Sequence, residues 1–144
     1  MADAFTVEVT GRADGFAQEI ATGAHHLRSD EPTAVGGTDT GPDPYGLLLA
    51  ALGACTSMTL GMYARRKKWP LETVTVRLRH RRDYLKDCEG CEENPRRIER
   101  IEREIVLTGP LDEVQRAGLL AIAEKCPVHR TLVSNVEIET RLVS

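Results

Sequence analysis

The alternation of apolar and polar positions divides the chain into distinct stretches. Residues 5–12 and 16–22 alternate as strands do, and Ala13-Asp14-Gly15 between them is a hairpin turn signal. A third short strand is expected over 25–29. Across 30–44 the alternation stops, and Pro32, Gly36, Gly37, Gly41, Pro42 and Pro44 mark an extended loop. The period then changes. From Leu47 to Leu60 apolar residues fall on every side of a helical projection, which predicts a buried helix rather than an amphipathic one. It should start near Asp43, a good N-cap, with Pro44 at its first position, and run to about Lys68, ahead of Pro70. Ala50, Ala51, Gly53, Ala54 and Gly61 are small and let another element approach the helix backbone closely.

Period-two patterning returns at 72–83, where Val74, Val76 and Leu78 share one face while Thr73, Thr75, Arg77 and Arg79 share the other. Residues 85–97 are polar and read as a loop. Ile101, Ile105 and Leu107 mark a second long strand over 98–108. Thr108-Gly109-Pro110 then opens a helix, with Asp112 and Glu113 at its positive end and Leu111, Val114, Gly118, Ala121 and Ile122 as its buried stripe. Pro127 should end that helix just after Cys126. A last strand is expected over 135–143, with Val136, Ile138, Thr140 and Leu142 facing inward. The predicted order is βββ-α-ββ-α-β, an α+β fold in a single domain spanning 1–144. One chain of this size can hardly wrap a helix that is apolar all round, so a homodimer is expected to bury it.

Composition narrows the function. Apolar residues make up 41% and charged residues 28%, as in a soluble globular protein, and the formal net charge of −3 provides no general attraction to nucleic acid or to an anionic membrane. The basic clusters Arg65-Arg66-Lys67-Lys68 and Arg77 to Arg82 read as solvated faces. Pro44 to Ala64 is uncharged and long enough to span a bilayer, but it is rich in Ala, Gly, Ser and Thr, and the rest of the fold needs it as a core. The N-terminus lacks a basic region followed by an apolar stretch, so a cytoplasmic location is expected. There, cysteines are more often catalytic, metal-binding or inert than structurally bridged.

The four cysteines are Cys55, Cys88, Cys91 and Cys126. Cys55 lies in the most apolar stretch and reads either as a small core residue or as a nucleophile. The second reading requires a nearby cation or helix N-terminus to stabilise a thiolate, which a break at Gly53 would supply by starting a new helical segment before Cys55. Cys126, beside Lys125, His129 and Arg130, reads either as a thiol packed under a helix end or as a redox partner; residue chemistry alone does not pair it with Cys55. Cys88-Glu89-Gly90-Cys91 has the spacing of a metal site or a redox dithiol in the polar loop. With Cys126 and His129 it would compose a Cys₃His zinc set, while an exposed loop is the plainer alternative. His25, His26 and His80 are further candidate ligands, each also readable as a surface or strand residue.

The stretch from Gly41 to Thr56, GPDPYGLLLAALGACT, resembles the first cysteine motif of the OsmC/Ohr family, and Lys125-Cys126-Pro127-Val128-His129 resembles its second. The element order and nearly the full length agree as well. The resemblance implies an intertwined homodimer, with long helices crossing at its centre under sheets from both chains. It implies a thiol-dependent peroxidase in which Cys55 attacks an organic hydroperoxide, Cys126 resolves the product as a disulfide, and a dithiol reductant resets the pair. No cofactor is required on this reading; a zinc ion at Cys88 and Cys91 is a separate candidate. The family holds its thiolate with an Arg and a Glu. The segment from Val9 to Gly15 is similar to the one that carries the Arg, which makes Arg12 the candidate. The Glu would fall where Tyr45 and Gly46 stand, with Asp43 nearby but offset, so the chain departs from the family pattern there. That departure keeps two other readings open: a non-catalytic binding protein for a small hydrophobic ligand, and a zinc-binding redox protein using Cys88 and Cys91.

Overall fold

The computed structural model describes residues 6–85 and 96–144. The chain forms two compact units, 1–48 and 49–144. In the first, strands β1 (Glu8–Gly11), β2 (Gln18–Thr22) and β3 (His25–Ser29) make an antiparallel sheet in that order. Val9 pairs with Ile20, and Ile20 with Leu27, which sets apolar residues side by side across the three strands. The loop after β3 contains a 3₁₀ turn, Thr33–Val35, and is gathered around Asp30. This carboxylate is 2% exposed and accepts from the hydroxyls of Thr38 and Thr40 at 2.7 and 2.6 Å and from the backbone N–H groups of Glu31 and Thr40. Those hydroxyls hold it well below the usual carboxylate range, against the opposing effect of burial.

Helix α1 (Pro44–Lys67) begins as its caps predict: the Asp43 carboxylate accepts from the N–H of Gly46 at 2.8 Å. It is one continuous helix. Gly53 does not break it, because a single glycine costs a helix only about 1 kcal/mol and tight packing offsets that. A Cβ at Gly53 would lie 2.9 Å from Leu78 Cδ1, so the missing side chain is what admits the neighbouring sheet. That sheet is an antiparallel ribbon of β4 (Thr73–Leu85) and β5 (Arg96–Thr108). Both strands extend further than expected, since the cross-strand register continues into the polar residues the pattern assigned to the loop.

Helix α2 (Glu113–Ala123) carries a reciprocal capping box between Asp112 and Gln115. The core of the second unit is built from Leu60 and Ala64 of α1 and Leu119 and Ala123 of α2, each at most 2% exposed, with Trp69, Leu71, Ile105 and Leu107 packed around them. Gly118 belongs to this contact: a Cβ there would meet the Trp69 ring at 3.0 Å. Burial along α1 is confined to one stripe, Leu52, Thr56, Leu60 and Ala64, spaced four residues apart. Met58 and Met62 are 72% and 48% exposed, so the expected all-round burial is not met within one chain. By length and composition alone α1 could cross a membrane, but this stripe ties it into the core.

Two expectations at the C-terminal end are corrected. The helix does not run to Cys126: α2 stops at Ala123, a turn follows, and Pro127 opens a further short helix, α3 (Pro127–Leu132). Proline suits the first position of a helix as well as it ends one. Residues 135–144 form no hydrogen-bonded strand, and Val136, Ile138 and Leu142 are 57%, 85% and 92% exposed instead of facing inward. A strand requires a neighbouring edge for its backbone groups, and among the described residues no strand pairs with this one. The mixed α+β class and the β-β-β-α-β-β-α order up to that point agree with the sequence pattern.

Candidate functional site

The two motif cysteines lie in the second unit, one on α1 and the other just before α3. Cys55, on α1, is half-buried, and Cys126 is fully buried at the residue that precedes α3; both are free thiols. The Cys55 side chain and the Thr56 hydroxyl lie close to the Cys126 sulfur. Cys126 therefore stands at a helix start and not at a helix end, with the backbone N–H groups of Val128 and His129 near its sulfur. Burial pushes the Cys126 thiol up. The neighbouring Cys55 side chain and the two backbone N–H groups outweigh that and leave it below the ordinary thiol value.

Thr56 is fully buried and donates its hydroxyl to the Leu52 carbonyl at 2.7 Å. Its oxygen accepts from Arg103 Nη1 at 3.2 Å. Arg103 stands on β5, and its side chain is only 12% exposed. Its second nitrogen, Nη2, donates to His129 Nδ1 at 3.2 Å. Because Nδ1 accepts, the imidazole proton resides on Nε2, which donates to Glu124 Oε2 at 2.9 Å. A cavity of about 400 Å³ opens onto Arg103, His129 and Glu124, with Ile101, Ile105 and Leu120 among its apolar walls. On the other side Cys55 faces a shallow, mostly apolar cleft of about 370 Å³ between Ala51, Met58, Met62 and Pro127.

Residues 37–141 match the family model of OsmC-like proteins. The chain belongs to the OsmC-like family. Solved members share the fold at low identity. An OsmC-like protein from Mycoplasma pneumoniae superposes with a TM-score of 0.69 at 18% identity, covering 92% of this chain and 89% of its own. An organic hydroperoxide resistance protein from Legionella pneumophila gives 0.64 at 21%, covering 91% and 90%. One from Elizabethkingia anophelis gives 0.64 at 18%, covering 95% and 94%. No curated protein sequence matches.

The other candidates from the sequence are placed as follows in this OsmC-like chain. Arg12 follows β1 in the N-terminal unit, where its guanidinium pairs with Asp14 at 3.2 Å and both side chains are open to solvent. Asp43, the carboxylate nearest to the family's Glu position, is occupied in capping α1. Cys88 and Cys91 lie outside the described residues. Among the described residues no group of three or more His, Cys, Asp or Glu side chains is arranged to hold a metal. Both ring nitrogens of His129 are engaged, by Arg103 and Glu124, and His80 Nε2 is bound to Glu99 at 2.6 Å. His25 and His26 lie exposed on β3.

Arg103 and Thr56 were not anticipated from the sequence. The available signal was Arg103 standing in the series Ile101, Arg103, Ile105, Leu107, a cation at an apolar-face position of a strand. A charge at such a position requires buried partners.

Proposed function

We propose that this OsmC-like protein is a thiol peroxidase for organic hydroperoxides, with Cys55 as nucleophile and Cys126 as resolving cysteine. The observation that carries this reading is the closeness of two free thiols, one half-open to an apolar cleft and the other buried with its titration lowered. The Cys55 thiolate attacks the outer oxygen of the hydroperoxide, the O–O bond breaks, and the alkoxide leaves and takes up a proton as the alcohol. Cys55 is then a sulfenic acid. The Cys126 thiolate attacks its sulfur, and hydroxide leaves as water once protonated. A dithiol reductant then reduces the Cys55–Cys126 disulfide by exchange. The net reaction converts a hydroperoxide and a dithiol into an alcohol, water and a disulfide. Methionine and alanine on the cleft walls favour an alkyl or aryl peroxide over hydrogen peroxide.

The working form is a homodimer. Exposed Met58 and Met62 on α1, and the exposed alternating tail of residues 135–144, are the surfaces a second copy would cover. Arg12 is the cation implied by the family; Arg103 is a cation within the unit that holds both cysteines. The protein acts in the cytoplasm.

The test is turnover of tert-butyl hydroperoxide and hydrogen peroxide with a dithiol reductant, comparing wild type, Cys55→Ser and Cys126→Ser. Wild type should turn over, preferring the organic peroxide. Without the dithiol, Cys126→Ser should react once and stop at the sulfenic acid, and Cys55→Ser should be inert under either condition. If the wild type binds an apolar probe in the cleft but consumes no peroxide, the non-catalytic binding reading replaces this one.

A further inference from the structure

We infer that Arg103 is the positioning residue of the cysteine pair, a two-point clamp that holds α1 and α3 at the separation their sulfurs need to form a disulfide. The inference rests on the redox reading above.

Each arm of the guanidinium reaches a different cysteine-bearing element. Nη1 binds the hydroxyl of Thr56, the residue after Cys55 on α1, at 3.2 Å. Nη2 binds the ring of His129, three residues beyond Cys126 in α3, at 3.2 Å, and lies 4.0 Å from Oε1 of Glu124, the residue that holds the same ring. The two elements are joined through a third, β5, whose register against β4 fixes where Arg103 stands. Each anchor is itself held: Thr56 through its bond to the Leu52 carbonyl, His129 through Glu124. The Thr56 side chain and the backbone N–H groups of Val128 and His129 also lie near the Cys126 sulfur. A planar fork with fixed donor directions can hold two acceptors at a set spacing, which the single rotating ammonium of lysine cannot. A disulfide tolerates only a narrow range of separations between its Cβ atoms, so the spacing of α1 and α3 governs how readily the bond closes. Among the described residues no hydrogen bond joins Arg103 to either sulfur, and it acts through Thr56 and His129.

A clamp and a simple positive charge predict opposite outcomes. A charge would stabilise the reduced pair through its thiolate, so removing it would favour the disulfide, and lysine would substitute for arginine. Removing a clamp lowers the effective concentration of one thiol at the other, so the disulfide becomes less favoured and lysine does not rescue it.

The experiment equilibrates the purified full chain with graded ratios of reduced and oxidised dithiothreitol and counts the Cys55–Cys126 disulfide by peptide mapping, for wild type, Arg103→Met, Arg103→Lys and Thr56→Val. Circular dichroism checks folding. The expected result is an equilibrium constant about tenfold lower in Arg103→Met, about 30 mV for this two-electron couple, with Arg103→Lys remaining closer to the methionine variant than to wild type. Thr56→Val, which cuts one arm, should move in the same direction and carries the test with Arg103→Lys if Arg103→Met does not fold. An unchanged or raised constant in the folded variants, or full rescue by lysine, overturns the clamp. Failure of the peroxidase reading is seen separately, as a wild type that forms this disulfide with dithiothreitol yet consumes no hydroperoxide.

Discussion

Replacing Thr56 with valine removes a single oxygen from the centre of the site with almost no change of shape. The Leu52 carbonyl loses a side-chain donor but keeps the ordinary helical partner four residues on. Arg103 Nη1 fares worse, because its acceptor at 3.2 Å disappears from a position where the side chain is only 12% exposed. A buried donor left without a partner costs about 1–3 kcal/mol. In a domain of this size each kcal/mol lowers the melting temperature by about 2–4 °C, so a fall of about 2–12 °C is expected. Thr56→Ser separates the causes, since it keeps the oxygen and gives up one methyl, about 1 kcal/mol of burial. Thermal denaturation by circular dichroism on reduced protein reads the loss. If valine matches wild type in melting while serine is the worse variant, the hydroxyl contributes nothing to the fold.

Asp30→Asn should destabilise the N-terminal unit at neutral pH, because the carboxamide would turn donors toward the Thr38 and Thr40 hydroxyls. The loss should shrink as pH drops below the ordinary carboxylate value of 3.8, where the wild-type group begins to give up its own advantage; chemical denaturation across a pH series measures this. Ending the chain after Ser134 removes the unpaired tail and should convert a dimer into a monomer or an aggregate in sedimentation; a folded, full-length monomer at micromolar concentration would contradict the dimer. Metal analysis of wild type, Cys88→Ser and Cys126→Ser bears on the cysteine pair in the polar loop. Any zinc should be lost with Cys88→Ser and retained with Cys126→Ser, and equal loss in both would make Cys126 a ligand and remove it from the redox pair.

The elements were legible in the sequence wherever a period or a cap is a local property. The alternation at 72–83 and the Asp43-Pro44 start of α1 depend on neighbours a few positions away, and the fold agrees with them. The two cysteine motifs were equally plain, and they led to the family. What local pattern could not supply was the meaning of a position whose partners are distant in the chain. Pro127 is as good a first residue of a helix as a terminator, and only the turn after Ala123 decides between them, placing Cys126 before α3. Gly53 read as a break in α1 because nothing nearby announces Leu78, against which its bare backbone packs. The tail at 135–144 has a strand's alternation without a strand's hydrogen bonds, since alternation is inscribed in one segment and pairing requires another. Arg103 is the clearest case. By itself it is one charge among many on a polar ribbon, and the folded chain alone brings Thr56 and His129 to its two arms, because a buried cation is tolerated only where its partners converge from separate elements.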